Sequence, residues 1–153
     1  MPHAILFDIL QQIQSSIQSR ALPGLGSAQV LIQKVPGNRP ADLPTQQFPC
    51  IVIAPSGAEQ LDPLAGTTTR DDVVYRVLIA ILAADEGDQS AQFNLYLSWR
   101  QSLRQLFHDQ PLADLCFRVQ VQPLDIVDRE AWLHGALYVS RLLLNCYSRE
   151  PRG

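Results

Sequence analysis

Lysine is almost missing from this chain. Lys34 is the only one among 153 residues, and every other basic side chain among its 12 Lys and Arg is arginine. Charge of either sign is scarce, at 18% of residues, and the formal net charge is −3. A weakly acidic chain is poorly suited to general binding of phosphate backbones. No long hydrophobic run is present. The longest, residues 77–84, is far below the ~20 residues that a membrane-spanning helix requires. No cationic segment precedes an apolar stretch at the N-terminus, so no signal peptide is expected. The three cysteines, Cys50, Cys116 and Cys146, are odd in number and widely spaced. That pattern fits buried thiols in a reducing compartment, not a disulfide framework.

Apolar side chains, by contrast, are plentiful at 46%, which excludes intrinsic disorder. A chain of this length makes about one domain and buries roughly two-thirds of its unfolded surface. With so little charge, the surface falls to Gln, Ser, Thr and arginine. Arginine is enriched and lysine depleted at protein interfaces.

No internal repeat or composition break divides the chain, so residues 1–153 read as one domain. Residues 4–20 place Ile5, Leu6, Ile9, Leu10, Ile13 and Ile17 on one stripe, which predicts an amphipathic helix stopped by Leu22-Pro23-Gly24. Residues 28–35 predict a strand. Residues 36–48 and 56–71 are long arms, longer than the ~4–6 residues usual for connections, and 58–61 within the second arm is a candidate extended piece. Residues 50–54 predict a short buried strand. Residues 72–83 give the strongest strand signal, with apolar residues on both faces, as expected of a central strand covered on both sides over part of its length.

Asp88 or Ser90 is placed to cap a second helix running to about His108. Residues 116–122 alternate, setting Phe117, Val119 and Val121 against Arg118, Gln120 and Gln122, which predicts a strand with one buried face. Residues 125–134 read as a loop or a single helical turn, 135–147 as the last strand, and 148–153 as a flexible polar tail. Strands come in runs, not in regular alternation with helices. The fold class is therefore α+β: one mixed, largely antiparallel sheet, two main helices packed on a face, and an extended hairpin or loop arm.

Catalytic patterns are few. Pro23-Gly24-Leu25-Gly26-Ser27 follows a helix and precedes a strand, the wrong context for a phosphate loop. His3, His108 and His134 lie far apart, and His108 suits a helix C-terminus. Adjacent strand residues point to opposite faces, so Asp71 and Asp72 need not share a site. A small metal-dependent hydrolase using Asp71, Asp72 and a histidine stays an alternative of another class, as does a cytosolic adaptor domain whose arms hold a peptide. Arg100 and Arg104 lie i, i+4 on the second helix, beside Phe93, Leu97 and Phe107. There they border an apolar surface and are candidates for a subunit contact, or for snorkelling at the core edge.

Several strings resemble one family: Phe48-Pro49-Cys50-Ile51-Val52-Ile53, Thr69-Arg70-Asp71-Asp72 leading into the long strand, and Trp99-Arg100 through Leu106-Phe107-His108. Val121 and Pro123 before an Asp/Trp-containing turn, then a long strand and Ser148-Arg149-Glu150, are similar to it as well. Over about residues 48–153 the chain resembles the tail terminator (tail completion) proteins of tailed bacteriophages. The resemblance implies a non-enzymatic virion structural protein without a cofactor or metal. It would form a ring, commonly hexameric, that caps the head-proximal end of the tail tube and stops its polymerisation. Its implied partners are the tube protein, the sheath if the tail contracts, and the neck or connector protein. DNA would pass through the lumen without specific binding. The implied location is the head–tail junction of the virion, after assembly in the host cytoplasm. Another head–tail joining or minor tail protein is the alternative within the same class. Arg70, Asp71, Asp72, Arg100 and Arg104 are the candidate subunit or tube contacts.

Overall fold

The computed structural model describes residues 4–34, 48–61, 69–84, 90–135 and 137–152. Among them a seven-stranded mixed sheet carries two long helices on one face, the α+β arrangement expected. Helix α1 spans Ile5–Arg20 and buries Ile9, Leu10, Ile13 and Ile17 of its aliphatic stripe. It ends where Ala21 turns left-handed at φ 53°, ahead of Pro23, which cannot continue a helix. A 3-10 turn over Ser27–Gln29 leads into β1 (Val30–Ile32), shorter than the strand anticipated for 28–35. Gln14 and Gln18 of α1 donate side-chain amides to the Val30 and Ser27 carbonyls at 2.9 and 3.1 Å, stitching helix to turn.

The sheet is built on two strands, β4 (Arg70–Ala84) and β7 (Leu137–Pro151), paired antiparallel without a break from Arg70↔Pro151 to Ala84↔Leu137. At ~3.4 Å per residue this ladder is about 50 Å long. Strand β2 (Cys50–Pro55) lies antiparallel along residues 77–82 of β4, with β1 parallel to it on the outside. Farther along the same edge of β4, β3 (Gln60–Leu61) pairs with Val73 and Val74, so the extended piece at 58–61 is real but short. Strand β6 (Cys116–Pro123) pairs with β7, and β5 (Gln110–Leu112) pairs with β6.

Strand parity sorts the core. Val77, Ile79 and Ile81 of β4, Ile51 and Ile53 of β2, and Leu142 and Leu144 of β7 meet α1 and α2 (Ser90–Phe107). From α2 come Tyr96, Trp99, Leu103 and Phe107, all buried. The indole N–H of Trp99 donates to the Pro23 carbonyl at 2.8 Å, locking α2 beneath the turn that follows α1. Gly24 sits there at φ 77°, a left-handed conformation that residues with a side chain rarely adopt. On the reverse face a smaller cluster of Cys50, Val52, Ala80, Leu82, Leu137 and Val139 packs with Phe48 and Ala131. Residues of β4 are thus buried on both faces, as its sequence implied.

Three expectations need correction. Residues 148–151 are not a tail: they complete β7, because Val73, Asp72, Asp71 and Arg70 of β4 supply their pairing partners. Phe117 does not join Val119 and Val121 in the core but is 52% exposed on the reverse face. The cause is a β-bulge. Gln110↔Val119 and Leu112↔Cys116 are paired, so two residues of β6 oppose one of β5, and Cys116 takes the inward place. Residues 125–134 hold more than a loop or a single helical turn, since α3 occupies Arg129–Gly135, about two turns. The arm at 36–48 lies almost wholly outside the described residues, as do Asp88 and residues 62–68 of the second arm. No described helix is long and apolar enough to cross a membrane.

Candidate functional site: two surfaces on the long ladder

The five candidate residues separate into two groups. Arg70, Asp71 and Asp72 start β4 at one end of the ladder, whereas Arg100 and Arg104 lie on α2 toward the other end. At the first end Asp72 faces Arg149 across the ladder, with Nε–Oδ1 2.9 Å and Nη2–Oδ2 3.3 Å, a two-pronged carboxylate contact. Asp71 points to the opposite face and receives Arg152 Nε at 2.7 Å. The two neighbouring carboxylates are therefore on different faces, each held by its own arginine. Arg70 is exposed beside them. The hydrogen bond from Arg149, with its positive charge, holds the Asp72 carboxyl below the usual carboxylate range, outweighing partial burial. Tyr75 Oη donates to both oxygens of Glu150 at 2.9 Å on the helix-bearing face.

Phe117 and Tyr147 lie beside this ion pair. Their ring centroids are 6.3 Å apart, and the Arg149 guanidinium sits 5.2 Å from the Phe117 centroid. Aromatic rings with an arginine stacked on them, half open to solvent, have the composition of interface anchors. Sequence reading missed this cluster because alternation assigned Phe117 to the core. Only the bulge turns it outward.

Arg100 is engaged inside the chain. Its Nη1 donates to Ser140 Oγ (2.8 Å), Arg141 O (2.8 Å) and Asp125 O (3.1 Å), and its Nη2 donates to Leu124 O (2.6 Å). Burial lowers its pKa, but a guanidinium titrates so high that it stays charged. Arg100 is thus a positioning residue for the segment after β6. Arg104, one turn on, is exposed.

The segment that Arg100 holds has further braces. Leu124 N–H donates to Arg141 O, Arg141 N–H to Asp125 O, and Asp128 N–H to Val139 O. Asp128 caps α3, accepting the Ala131 N–H at 3.1 Å, and receives Arg141 Nη1 at 2.6 Å. On this scaffold Leu124, Ile126, Val127 and Leu133 are exposed, the last at 62%. The turn is thus firmly bonded and still presents aliphatic side chains to water.

The hydrogen bond from Arg141, then that from the Ala131 N–H, keeps the Asp128 carboxyl below its ordinary range. A depressed folded pKa contributes stability at pH values above the unfolded pKa of ~3.9, and that stability is lost as pH falls through the folded value. Asp128→Asn retains a capping side chain and removes the charge. The variant is expected to be less stable than wild type at pH 7 and to lose less on acidification to pH 3. Urea midpoints at the two pH values test this.

Elsewhere His108 Nδ1 accepts the Val121 N–H at 3.1 Å, bracing the end of α2 against β6. His3 and the side chain of His134 lie outside the described residues. All three cysteines are buried free thiols, and burial raises Cys50 to about 11. Among the described residues no three His, Cys, Asp or Glu side chains gather at one point. An open groove of about 380 Å³ between α1, the end of α2 and β5 has Arg20 as the one charged residue among the described ones that line it. No family model and no curated protein sequence matches the chain.

Proposed function

We propose that this protein is a virion assembly protein, one subunit of a ring that caps the head-proximal end of a phage tail tube. In this reading the ring ends tube growth and presents its other side to the neck. The observation that carries the proposal is the pair of exposed surfaces at separate places on one small subunit, one aliphatic and one aromatic with an arginine. One is the braced turn after β6, and the other is the Phe117–Tyr147–Arg149 cluster. Rings are closed by heterologous contacts, which join two different patches of each copy. The family resemblance over about residues 48–153 points the same way, and α+β is the fold class it implies. A net charge of −3 suits a conduit through which DNA slides, since a basic lumen would retain phosphates.

The mechanism is steric. Subunits seated on the last tube ring would bury the surface that the next tube ring needs. Purified protein is expected to form a closed ring by native mass spectrometry and electron microscopy, and to shorten tubes when added during tube-protein polymerisation. A monomer that leaves tube length unchanged overturns the proposal. Binding to the portal side of the head, with none to tube ends, would instead assign the protein to head–tail joining.

A further inference from the structure

We infer that the braced turn of one copy docks on the Phe117–Tyr147–Arg149 face of the next, with Asp125 of the first copy pairing with Arg149 of the second. This contact deepens the ring reading and rests on it for closure. Both halves are on the same chain. The turn offers Leu124, Ile126 and Val127, exposed, around the Asp125 carboxylate, which is exposed too. The receiving face offers two aromatic rings around a cation. Arg149 has five N–H donors and uses two toward Asp72, so its remaining edge is open to a second carboxylate.

The chemistry also selects the symmetry. Turn against turn would bring two Asp125 carboxylates together, and face against face would oppose two Asp72–Arg149 pairs, giving neither open guanidinium edge a new carboxylate. Turn against face joins aliphatic to aromatic and anion to cation. The two halves cannot satisfy each other within one chain. Arg141, to which the turn is bonded, and Tyr147, beside Phe117, are six residues apart on one strand, about 20 Å. A head-to-tail contact between copies is the arrangement left, and it is the kind that closes into a ring. Arg100 is the hidden support: by gripping the carbonyls beneath Leu124 and Asp125 it holds the turn in its presented shape before any partner arrives.

Engineered thiols test this directly, because the native cysteines are buried. Arg118 is exposed on β6 in register with Tyr147, so under a mild chemical oxidant the double variant Val127→Cys/Arg118→Cys is expected to yield a ladder of linked multimers ending at the ring size. Each single variant should stay unlinked, and a mixture of the two singles should give linked dimers. Asp125→Lys is expected to weaken self-association at least tenfold, with native far-ultraviolet circular dichroism of the dissociated subunits showing that the fold is intact. Rings that form without a disulfide between positions 127 and 118 of neighbouring copies overturn this contact and leave the ring reading standing. Links within a single-variant sample overturn the head-to-tail geometry. Linked ladders from a protein that does not alter tube length keep the contact and overturn the tail reading. Links to tube protein instead of to a second copy assign the turn to the tube and overturn the inference.

Discussion

Replacing Arg100 with alanine is expected to lower the unfolding free energy by about 3 kcal/mol. The guanidinium serves four acceptors on the β6–α3 connection and β7; the two part-buried ones, Ser140 Oγ and the Arg141 carbonyl, lose a charged donor, and a buried group left unpaired costs about 1–3 kcal/mol. Water reaches the Leu124 and Asp125 carbonyls more readily than Ser140, so the sum falls well short of four full penalties. In a protein of this size 1 kcal/mol moves Tm by roughly 2–4 °C, so a drop of roughly 6–12 °C is expected in calorimetry. Arg100→Lys should recover less than half, because an ammonium is a compact point donor and not a planar fork. The effect should also be local. Amide exchange across residues 124–128 should accelerate more than exchange in β4, since Arg100 bonds the turn from beneath. If both regions accelerate equally, Arg100 serves the fold at large and not the turn.

Trp99→Ala is expected to have a larger effect, about 4 kcal/mol, from loss of the most voluminous fully buried side chain. Trp99 stands between Tyr96, 5.3 Å away by ring centroid, and the Pro23–Gly24 turn, and its N–H satisfies the Pro23 carbonyl. Removing it opens a cavity between α2 and the turn that follows α1, and it leaves that carbonyl without its indole donor. Trp99→Phe separates the two contributions. It refills most of the volume but cannot donate, so about 1–2 kcal/mol should remain as the loss. Urea unfolding measures both variants. A Phe variant as unstable as the Ala variant would mean that the hydrogen bond, not the volume, dominates. Neither change touches the proposed contact surfaces, so protein that still folds should still associate.

These two neighbours on α2 show where sequence reading succeeds and where it stops. Trp99 lies on the buried side of the helix, and helical spacing set Arg100 at the border of the apolar surface that Phe93, Leu97 and Phe107 form there. Which of two fates awaited Arg100, a subunit contact or a partner inside the chain, depended on Leu124, Asp125, Ser140 and Arg141. Those residues lie 24–41 positions away, and no local pattern reports on them. The opposite faces of Asp71 and Asp72 were legible for the converse reason: alternation along a strand is local geometry. Their partners, Arg152 and Arg149, were not legible, because ladder register is set by the whole sheet.

By itself the sequence determined the class of fold, the two helices, the doubly covered central strand and the burial of the cysteines. Each of these follows from periodicity and composition within a short window. Tertiary structure decided the rest. Residues 148–151, polar enough to pass for a tail, became strand because β4 offered them free backbone partners. Phe117 left the core because one extra residue in β6 inverted its side. The scarcity of lysine took on a location as well: arginines hold the turn, stack on Phe117 and clamp the ladder's end, each using a planar fork where a lysine would offer a single point charge.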